Sequence, residues 1–399
     1  MNRKSILTLL LVFVLAAMSA IPALAQDDLV VGMVLVGPQN DRGWSQAHFE
    51  GGEYMAEQLG AEFLVFESLN PADAPETSLR DVVSEFVDAG ASVIFTTSDD
   101  FKAETHEVAS EFPDIQLIHV SGDGVLTGDA PENVGNVMGK MVWGKLIDGC
   151  AAALMTETGQ IGYLGPLINN ETRRLAASTY LGASYCYETY RGLDAADLQF
   201  SVTWIGFWFN IPGVTLDPTE ESNTFFDSGV DVLVSGIDTT EAIVVAGQRR
   251  DNGEDIYALP YDFEGSCEIA PEACLGVPYF NWGPDYTDIV SRVAEGTYEQ
   301  EWVWADPYWE DLADNTQTAI GFVKGEGLSE EAEASLDDFI AFLTDYATNP
   351  DNAGTIALWE GPLNLQDGTE LVAEGEKLSE ADIWYLEQLL EGMEGASSN

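Results

Sequence analysis

The sequence predicts an α/β protein with two lobes, each built on a doubly wound parallel sheet and joined to the other by a hinge. Three observations predict this class. The chain has 399 residues, enough for two domains. Hydrophobic residues make up 46% of it, which supplies packed cores and argues against intrinsic disorder. Short apolar runs alternate with amphipathic helical patterns, and this alternation starts again after Val137.

The first block contains four predicted strands. Each is a continuous apolar run, as expected for a parallel sheet covered on both faces. The predicted strands span residues 29–36, 62–66, 92–97 and 115–120. Between the second and third, residues 79–87 repeat apolar side chains at helical spacing. This block therefore indicates successive βαβ units.

The second block begins with a predicted helix over residues 138–155. The predicted strands that follow span residues 160–164, 200–205, 231–235 and 255–259. We expect the chain to pass between the lobes at 134–137 and 277–282, and such short crossings make a hinge beside a cleft. The pattern divides the chain into lobe I (26–135 and 282–330), lobe II (136–281) and a C-terminal helical extension that packs on the lobes (331–399).

The C-terminal extension is predicted to contain two amphipathic helices with a loop, 367–376, between them. The first has its apolar seam at Leu336, Phe339, Ile340 and Leu343. The second has its seam at Ile383, Leu386, Leu390 and Met393.

The first 25 residues have the pattern of a secretory signal peptide. Arg3 and Lys4 precede an apolar stretch over 6–17, and small residues end at Ala25, where we expect cleavage. The mature protein is predicted to be soluble and periplasmic or extracellular, and we expect a monomer.

The charge excludes one class of partner. The chain has 69 Asp+Glu against 15 Lys+Arg, a formal net charge of −54. Such a surface repels phosphate backbones and anionic lipid headgroups, so binding to nucleic acid is not expected.

Four cysteines in an exported chain indicate disulfides, with free thiols as the alternative. Three pairings are possible. We favour Cys267–Cys274, which would close a short loop, and Cys150–Cys186 would then bridge two predicted helices. The three histidines show no metal-ligand spacing, so neither a metal nor a cofactor is expected.

Ligands of open parallel sheets bind beyond the carboxyl ends of the strands, so the loops there hold the candidate site. After the first predicted strand, Trp44 opens a helix and offers a flat face for stacking, while Asp41 and Ser45 could orient a polar edge. The alternative is that Asp41 caps the helix and Trp44 packs between the lobes.

Three consecutive aromatic residues, Phe207, Trp208 and Phe209, follow another predicted strand. Because side chains alternate between the two faces of a strand, at most two of them can be core on one side. We expect one or two to face the cleft, with packing alone as the alternative.

Other loops supply polar candidates. Asp238 and Asp262 could accept hydrogen bonds from a ribose diol or could cap the helices that follow. The remaining candidates are Ser98 and Phe101 on the rim of lobe I, Tyr261 beside Asp262, and Trp282 at the second crossing, where it would face the cleft or lock the hinge.

An enzyme is not expected. The chain has no Gly-x-Ser-x-Gly elbow, no His-Glu-x-x-His, no dinucleotide-binding fingerprint and no free cysteine with a histidine partner. Pairs of carboxylates are abundant, so residue types alone leave a carboxylate-dependent hydrolase open.

Several motifs, in order from residue 30 to residue 395, resemble the basic membrane protein family of ABC transporter substrate-binding proteins, which includes purine nucleoside receptors. They are Asn40-Asp41-Arg42-Gly43-Trp44-Ser45, residues 166–174, Trp204-Ile205-Gly206-Phe207-Trp208-Phe209-Asn210, Gly236-Ile237-Asp238-Thr239, Tyr261-Asp262, Asn281-Trp282-Gly283-Pro284-Asp285-Tyr286, and Trp359-Glu360-Gly361-Pro362-Leu363 with Gln366-Asp367-Gly368.

The resemblance implies a type I periplasmic-binding fold that closes on a ligand and delivers it to a membrane permease. It implies that aromatics at Trp44 and at the Trp208-Phe209 turn sandwich a base, that Asp41 orients the base, and that Asp238 and Asp262 take ribose hydroxyls. The predicted function is capture of a nucleoside, nucleobase or similar planar polar ring. The alternatives are a binding protein for a sugar or small carboxylate, and an exported hydrolase.

Overall fold

The computed structural model describes residues 29–398, and the predicted signal peptide lies outside them. In lobe I, six strands form one sheet: β1 (Val30–Val34), β2 (Glu62–Phe66), β3 (Val93–Thr96), β4 (Gln116–Val120), β5 (Val134–Gly139) and β11 (Trp302–Ala305). Their order is β11-β5-β4-β3-β1-β2, and every neighbouring pair is parallel. The helices of this lobe are α1 (Trp44–Leu59), α2 (Leu79–Asp88), α3 (Lys102–Glu111), α4 (Gly124–Thr127) and α9 (Gly283–Ala294).

Lobe II is built on a second parallel sheet. Its strands are β6 (Gln160–Gly165), β7 (Gln199–Trp204), β8 (Val232–Ser235), β9 (Tyr257–Leu259) and β15 (Met393–Glu394), in the order β15-β7-β6-β8-β9. Its helices are α5 (Val142–Met155), α6 (Asn170–Thr189), α7 (Pro218–Asp227) and α8 (Glu241–Asp251). Covering helices explain why the central strands of both sheets are continuous apolar runs.

Two disulfides lie in lobe II. Cys150–Cys186 joins α5 to α6 with a Cα–Cα distance of 5.1 Å. Cys267–Cys274 has a Cα–Cα distance of 5.4 Å. The chain between residues 29 and 398 has no free cysteine.

Two strand-like segments connect the lobes. β5 leads from lobe I into α5. β10 (Gly276–Phe280) leads from lobe II into α9 and pairs antiparallel with β12 (Ile320–Lys324). At the end of β5, the Lys140 Nζ donates to Asp306 at 2.8 Å and to Glu380 at 2.6 Å, which ties this crossing to the C-terminal part of the chain.

The C-terminal part differs from the prediction. α10 (Glu330–Ala347) buries Leu336, Phe339 and Leu343 of the expected seam and half-buries Ile340, but the second helix is short, α11 (Glu380–Trp384). Gly392 has φ 92°, which a helix cannot accommodate, and Met393 joins the lobe II sheet in β15. The predicted loop 367–376 contains a strand, β14 (Glu370–Val372), which pairs with β13 (Leu363–Asn364). The prediction of a long second helix was wrong because it rested on residue spacing alone. Leu386, Leu390 and Met393 are buried, but their backbone is irregular or extended and not helical.

Within residues 29–398, no helix combines the length and apolar character that crossing a membrane requires.

Candidate functional site

A narrow cavity of about 20 Å³ lies between the lobes at the carboxyl ends of both sheets. It is lined by Trp44, Ser98, Asp99, Ser121, Tyr163, Glu171, Thr172, Leu175, Trp208, Gly236, Asp238 and Tyr261. Both lobes contribute, and most of these residues follow a strand or begin the helix after it. This is where an open parallel sheet binds its ligand.

On the lobe I side, one wall is the indole of Trp44 at the start of α1. Its Nε1 donates to the Thr97 carbonyl at 2.7 Å, which fixes the plane of the ring. Asp41 accepts from the backbone N–H groups of Gly43, Ser45 and Gln46, at 2.9, 3.0 and 2.9 Å. Asp41 therefore holds the turn that presents the indole, which is the helix-capping role considered as its alternative.

Ser45 also belongs to this turn, since its hydroxyl accepts from the Gly37 N–H at 3.0 Å. Neither Asp41 nor Ser45 is among the residues that line the cavity, and Phe101 is buried in the lobe I core. Burial raises the pKa of Asp41 despite its hydrogen bonds.

Behind Trp44 lies a stack of buried aromatic rings. Trp282 stacks between His48 and Phe280, with ring centroids 4.4 and 4.7 Å away, and meets Trp44 edge-on at 5.6 Å. The Nδ1 atom of His48 lies 2.6 Å from the Tyr286 hydroxyl, and burial holds the pKa of His48 well below its usual value. Trp282 thus buttresses Trp44 at the second crossing and does not line the cavity.

On the lobe II side, the aromatic turn divides its side chains. Trp208 lines the cavity, while Phe207 and Phe209 are half-buried and pack on each other edge-on at 5.1 Å. Of the three predicted aromatics, Trp208 alone reaches the cavity in the described chain. Gly206 has φ 104°, so the backbone leaves the β7 direction before these residues and strand alternation no longer applies to them.

Acidic side chains lie around the cavity floor. Asp238 and Glu171 line it, and Asp262 is fully buried next to Tyr261. Burial raises the pKa of Asp238 and of Asp262 well above the usual range, and raises that of Glu171 to about 7. Neither carboxylate oxygen of Asp262 has a hydrogen-bond partner within residues 29–398.

Two buried cations offset these acids. The Lys145 Nζ donates to Asp148 at 2.9 Å and to the Ser235 carbonyl at 2.7 Å, and lies 3.9 Å from the centre of the Tyr261 ring. Burial lowers the pKa of Lys145, although Asp148 opposes the shift. Arg174 lies over the Trp384 ring at 4.1 Å, with a terminal nitrogen 3.9 Å from Glu171.

Three further polar atoms belong to cavity-lining residues and have no hydrogen-bond partner within the described chain. They are the hydroxyls of Ser121 and Tyr163 and the indole Nε1 of Trp208. Two indoles, three unpaired donors and several carboxylates can bind a flat ring and hydrogen-bond its edges.

Sequence reasoning did not select Ser121, Tyr163, Glu171, Thr172 and Leu175. Ser121 follows β4 and has φ 65°, so the strand-end rule would have found it. Tyr163 lies inside β6, where the pattern looks like ordinary core. Glu171 lies in the first turn of α6, and a charged residue there is expected to be exposed, so nothing in the sequence indicated its burial.

The sequence was compared with known proteins. The model of the family described as ABC transporter substrate-binding protein PnrA-like matches residues 29–306. The chain belongs to this family. The predicted resemblance is confirmed, and the protein is a substrate-binding component of an ABC transport system and not an enzyme.

Two relatives are curated proteins. The chain is 28% identical over 356 residues to a purine-binding protein of Brucella abortus, covering 88% of this chain and 89% of that protein. It is 27% identical over 276 residues to a putative ABC transporter glucose-binding protein of Haloferax volcanii, covering 69% of this chain and 62% of that protein.

Solved structures share the fold at low identity. A transcriptional activator of the comK gene from Bacillus halodurans has a TM-score of 0.60 at 17% identity, covering 80% of this chain and 99% of that one. An ABC solute-binding protein from Aeropyrum pernix has a TM-score of 0.59 at 14% identity, covering 81% and 88% of the two chains. These similarities and the two parallel sheets confirm the predicted type I periplasmic-binding fold.

Proposed function

We propose that this PnrA-like protein captures a purine nucleoside or nucleobase in its interlobe cavity and delivers it to a membrane permease. The observation that carries the proposal is that one indole from each lobe, Trp44 and Trp208, lines the same cavity. Stacking of one base on an aromatic side chain contributes about 1–3 kcal/mol of binding free energy. Purine binding by the Brucella abortus relative supports the same ligand class.

The polar groups of the cavity fit the edges of such a ligand. Ribose hydroxyls and base N–H groups are donors, and Asp238 and Glu171 offer carboxyl oxygens. The unpaired Tyr163 hydroxyl and Trp208 Nε1 can donate to ring nitrogens or carbonyls. A neutral ligand with donors and acceptors on its rim therefore satisfies groups that burial otherwise penalises.

The same groups disfavour an anionic ligand. A carboxylate or phosphate would enter a cavity lined by Asp99, Glu171 and Asp238. Arg174 donates to the Trp384 carbonyl at 3.3 Å and lies beside Glu171, and its Nε has no hydrogen-bond partner within residues 29–398. Within the described chain the cavity lining contains these three acids and no lysine or arginine, which disfavours a small carboxylate or a nucleotide.

A sugar is the second candidate, because the Haloferax volcanii relative is a putative glucose-binding protein. Carboxylates and indoles also bind sugars. The two ligand classes differ in how they would contact the Trp208 indole. A purine has a π face that can stack on the indole, and a hexose has none.

The test is a thermal-shift screen of the mature protein with adenosine, guanosine, inosine, adenine, glucose and glutamate, followed by calorimetric titration. A ligand at about 100-fold its Kd stabilises a protein by roughly 2.7 kcal/mol, which a melting curve resolves. We expect the purines to stabilise the protein and glutamate to have no effect. Stabilisation by glucose alone would refute the purine assignment.

Trp208→Ala then tests the stacking surface. We expect purine binding to weaken by about 5- to 150-fold, which corresponds to roughly 1–3 kcal/mol. Trp309→Ala is the control, because Trp309 is a half-buried tryptophan that packs edge-on against Trp143 and does not line the cavity. Equal weakening in both variants would assign the loss to general destabilisation.

We also propose export with cleavage after Ala25 and a monomeric mature protein. Mass spectrometry of the secreted chain and light scattering coupled to size-exclusion chromatography test these two points.

A further inference from the structure

The backbone of Gly43 lies directly against lobe II. A Cβ atom added at Gly43 would stand 1.7 Å from the carbonyl oxygen of Asp238 and 2.8 Å from its carbonyl carbon. Gly43 belongs to lobe I and immediately precedes Trp44, and Asp238 follows β8 of lobe II. This contact between two backbones is therefore one point where the lobes meet.

Neighbouring contacts link the same point to both indoles. The Ser266 hydroxyl of lobe II donates to the Arg42 carbonyl at 2.8 Å. The Asp238 N–H donates to the Trp208 carbonyl at 3.0 Å. The residue before Trp44 thus touches a residue whose backbone is bonded to Trp208. Any separation here would also separate the two indole walls.

We infer that Gly43 is a positioning residue for ligand capture, whose missing side chain allows the lobes to close until Trp44 and Trp208 face one cavity. The obstacle to a larger residue is a backbone carbonyl, which cannot rotate away as a side chain could. With alanine, the lobes would have to stand apart by more than about 1 Å at this point. Gly43 has φ −147° and ψ −139°, so alanine requires no left-handed backbone, and Ser266→Ala tests the same interlobe contact without changing the backbone at Gly43.

Gly182 shows what a similar contact does inside one lobe. Its added Cβ would lie 2.0 Å from the Leu146 carbonyl, between two helices joined by the Cys150–Cys186 disulfide. These helices cannot separate without disrupting the lobe II core. Alanine at Gly182 should therefore lower the melting temperature, whereas alanine at Gly43 should leave two intact lobes that fail to meet. The pair separates loss of closure from loss of folding.

The inference rests on the proposed function in one respect, because closure matters if it traps a ligand. The experiment measures closure by energy transfer between dyes at Glu57→Cys and Asp251→Cys, exposed positions on α1 of lobe I and α8 of lobe II. The native cysteines are paired, so these two sites take the dyes. Adenosine, guanosine and inosine are the probes.

We expect Gly43→Ala to reduce the closed fraction with and without probe. The Kd of a bound probe should rise at least tenfold, mainly through faster release. The melting temperature of the variant without probe should stay close to that of the parent. Ser266→Ala removes one interlobe hydrogen bond and should change closure in the same direction by about two- to tenfold. If Gly43→Ala does not fold, Ser266→Ala still measures whether the contact of residues 42–43 with lobe II controls closure.

Equal closed fractions in parent and variants under every condition would overturn the inference, as would a Gly43→Ala melting loss as large as that of Gly182→Ala. If the parent responds to none of the three probes, the proposed function fails. The comparison of closed fractions without probe still decides the role of Gly43.

Discussion

Replacing Glu171 by glutamine should make the free energy of unfolding less sensitive to a rise in pH from about 4.5 to about 7. Glu171 lies in the first turn of α6 and lines the cavity with little exposure to solvent. Burial raises the pKa of its carboxyl from 4.5 to about 7, although the charge of Arg174 opposes the shift. The folded protein therefore holds a proton at pH values where the unfolded chain has released it.

The sign and size of the effect follow from proton linkage. Between pH 4.5 and about 7, the folded state binds one more proton at Glu171 than the unfolded state does. The free energy of unfolding therefore falls as pH rises through this window, by about 1.4 kcal/mol per pH unit and about 3 kcal/mol in all. Glutamine has no proton to lose, so the Glu171→Gln variant should lack this part of the decline.

Guanidinium unfolding of both proteins between pH 5 and pH 8 measures the difference. We expect the variant to gain stability relative to the parent as pH rises, by up to about 3 kcal/mol near pH 8. Glu188→Gln, at an exposed position on the same helix, is the control and should run parallel to the parent. Parallel curves for the parent and Glu171→Gln would refute the reasoning, because the carboxyl would then titrate alike in both states.

Two further predictions concern stability. Replacing Cys150 and Cys186 by serine should lower the free energy of unfolding by about 4 kcal/mol, and replacing Cys267 and Cys274 should lower it by about 2.5 kcal/mol. The first pair is 36 positions apart and the second pair 7, and a disulfide that closes a longer loop restricts the unfolded chain more. A calorimetric measurement with the reverse order would contradict this prediction. Trp384→Ala should cost about 3–5 kcal/mol, because Trp384 packs edge-on against Trp302 at 4.9 Å and supports Arg174 at 4.1 Å; a melting temperature equal to that of the parent contradicts it.

The strands that the sequence predicted well are continuous runs of mostly apolar residues, whether they lie in the centre of the sheet or, like β2, at its edge. β2, spanning Glu62–Phe66, has the predicted bounds, and β3 and β4 lie within theirs. β11 and β15 were missed because they are edge strands of four and two residues, too short to show a period. Their pairing depends on sequence far along the chain, which a local pattern does not contain.

The sequence predicted those site residues that directly follow a strand. Ser98, Asp238 and Tyr261 follow strands, and the carboxyl ends of parallel strands meet at one edge, so all three lie at the cavity. The direction of each side chain in the aromatic turn was not predictable, because it depends on the backbone at Gly206. The contact of Gly43 with Asp238 depends on how one lobe stands against the other, which no single segment encodes.

The charge of the whole chain and the charge of the cleft obey different constraints. Most of the acidic residues behind the net charge of −54 can lie in water, where screening makes each of them inexpensive. Asp262 and Glu171 are buried, and a buried carboxylate is costly unless a cation or a proton compensates it. The chain has 15 Lys+Arg, yet the ammonium of Lys145 and the guanidinium of Arg174 are buried beside these acids. The Lys145 ammonium is bonded to Asp148 and to the Ser235 carbonyl, whereas the Arg174 Nε has no hydrogen-bond partner within residues 29–398. A neutral ligand such as the proposed purine would meet these acids without adding a second buried charge, whatever purpose the acidic surface serves.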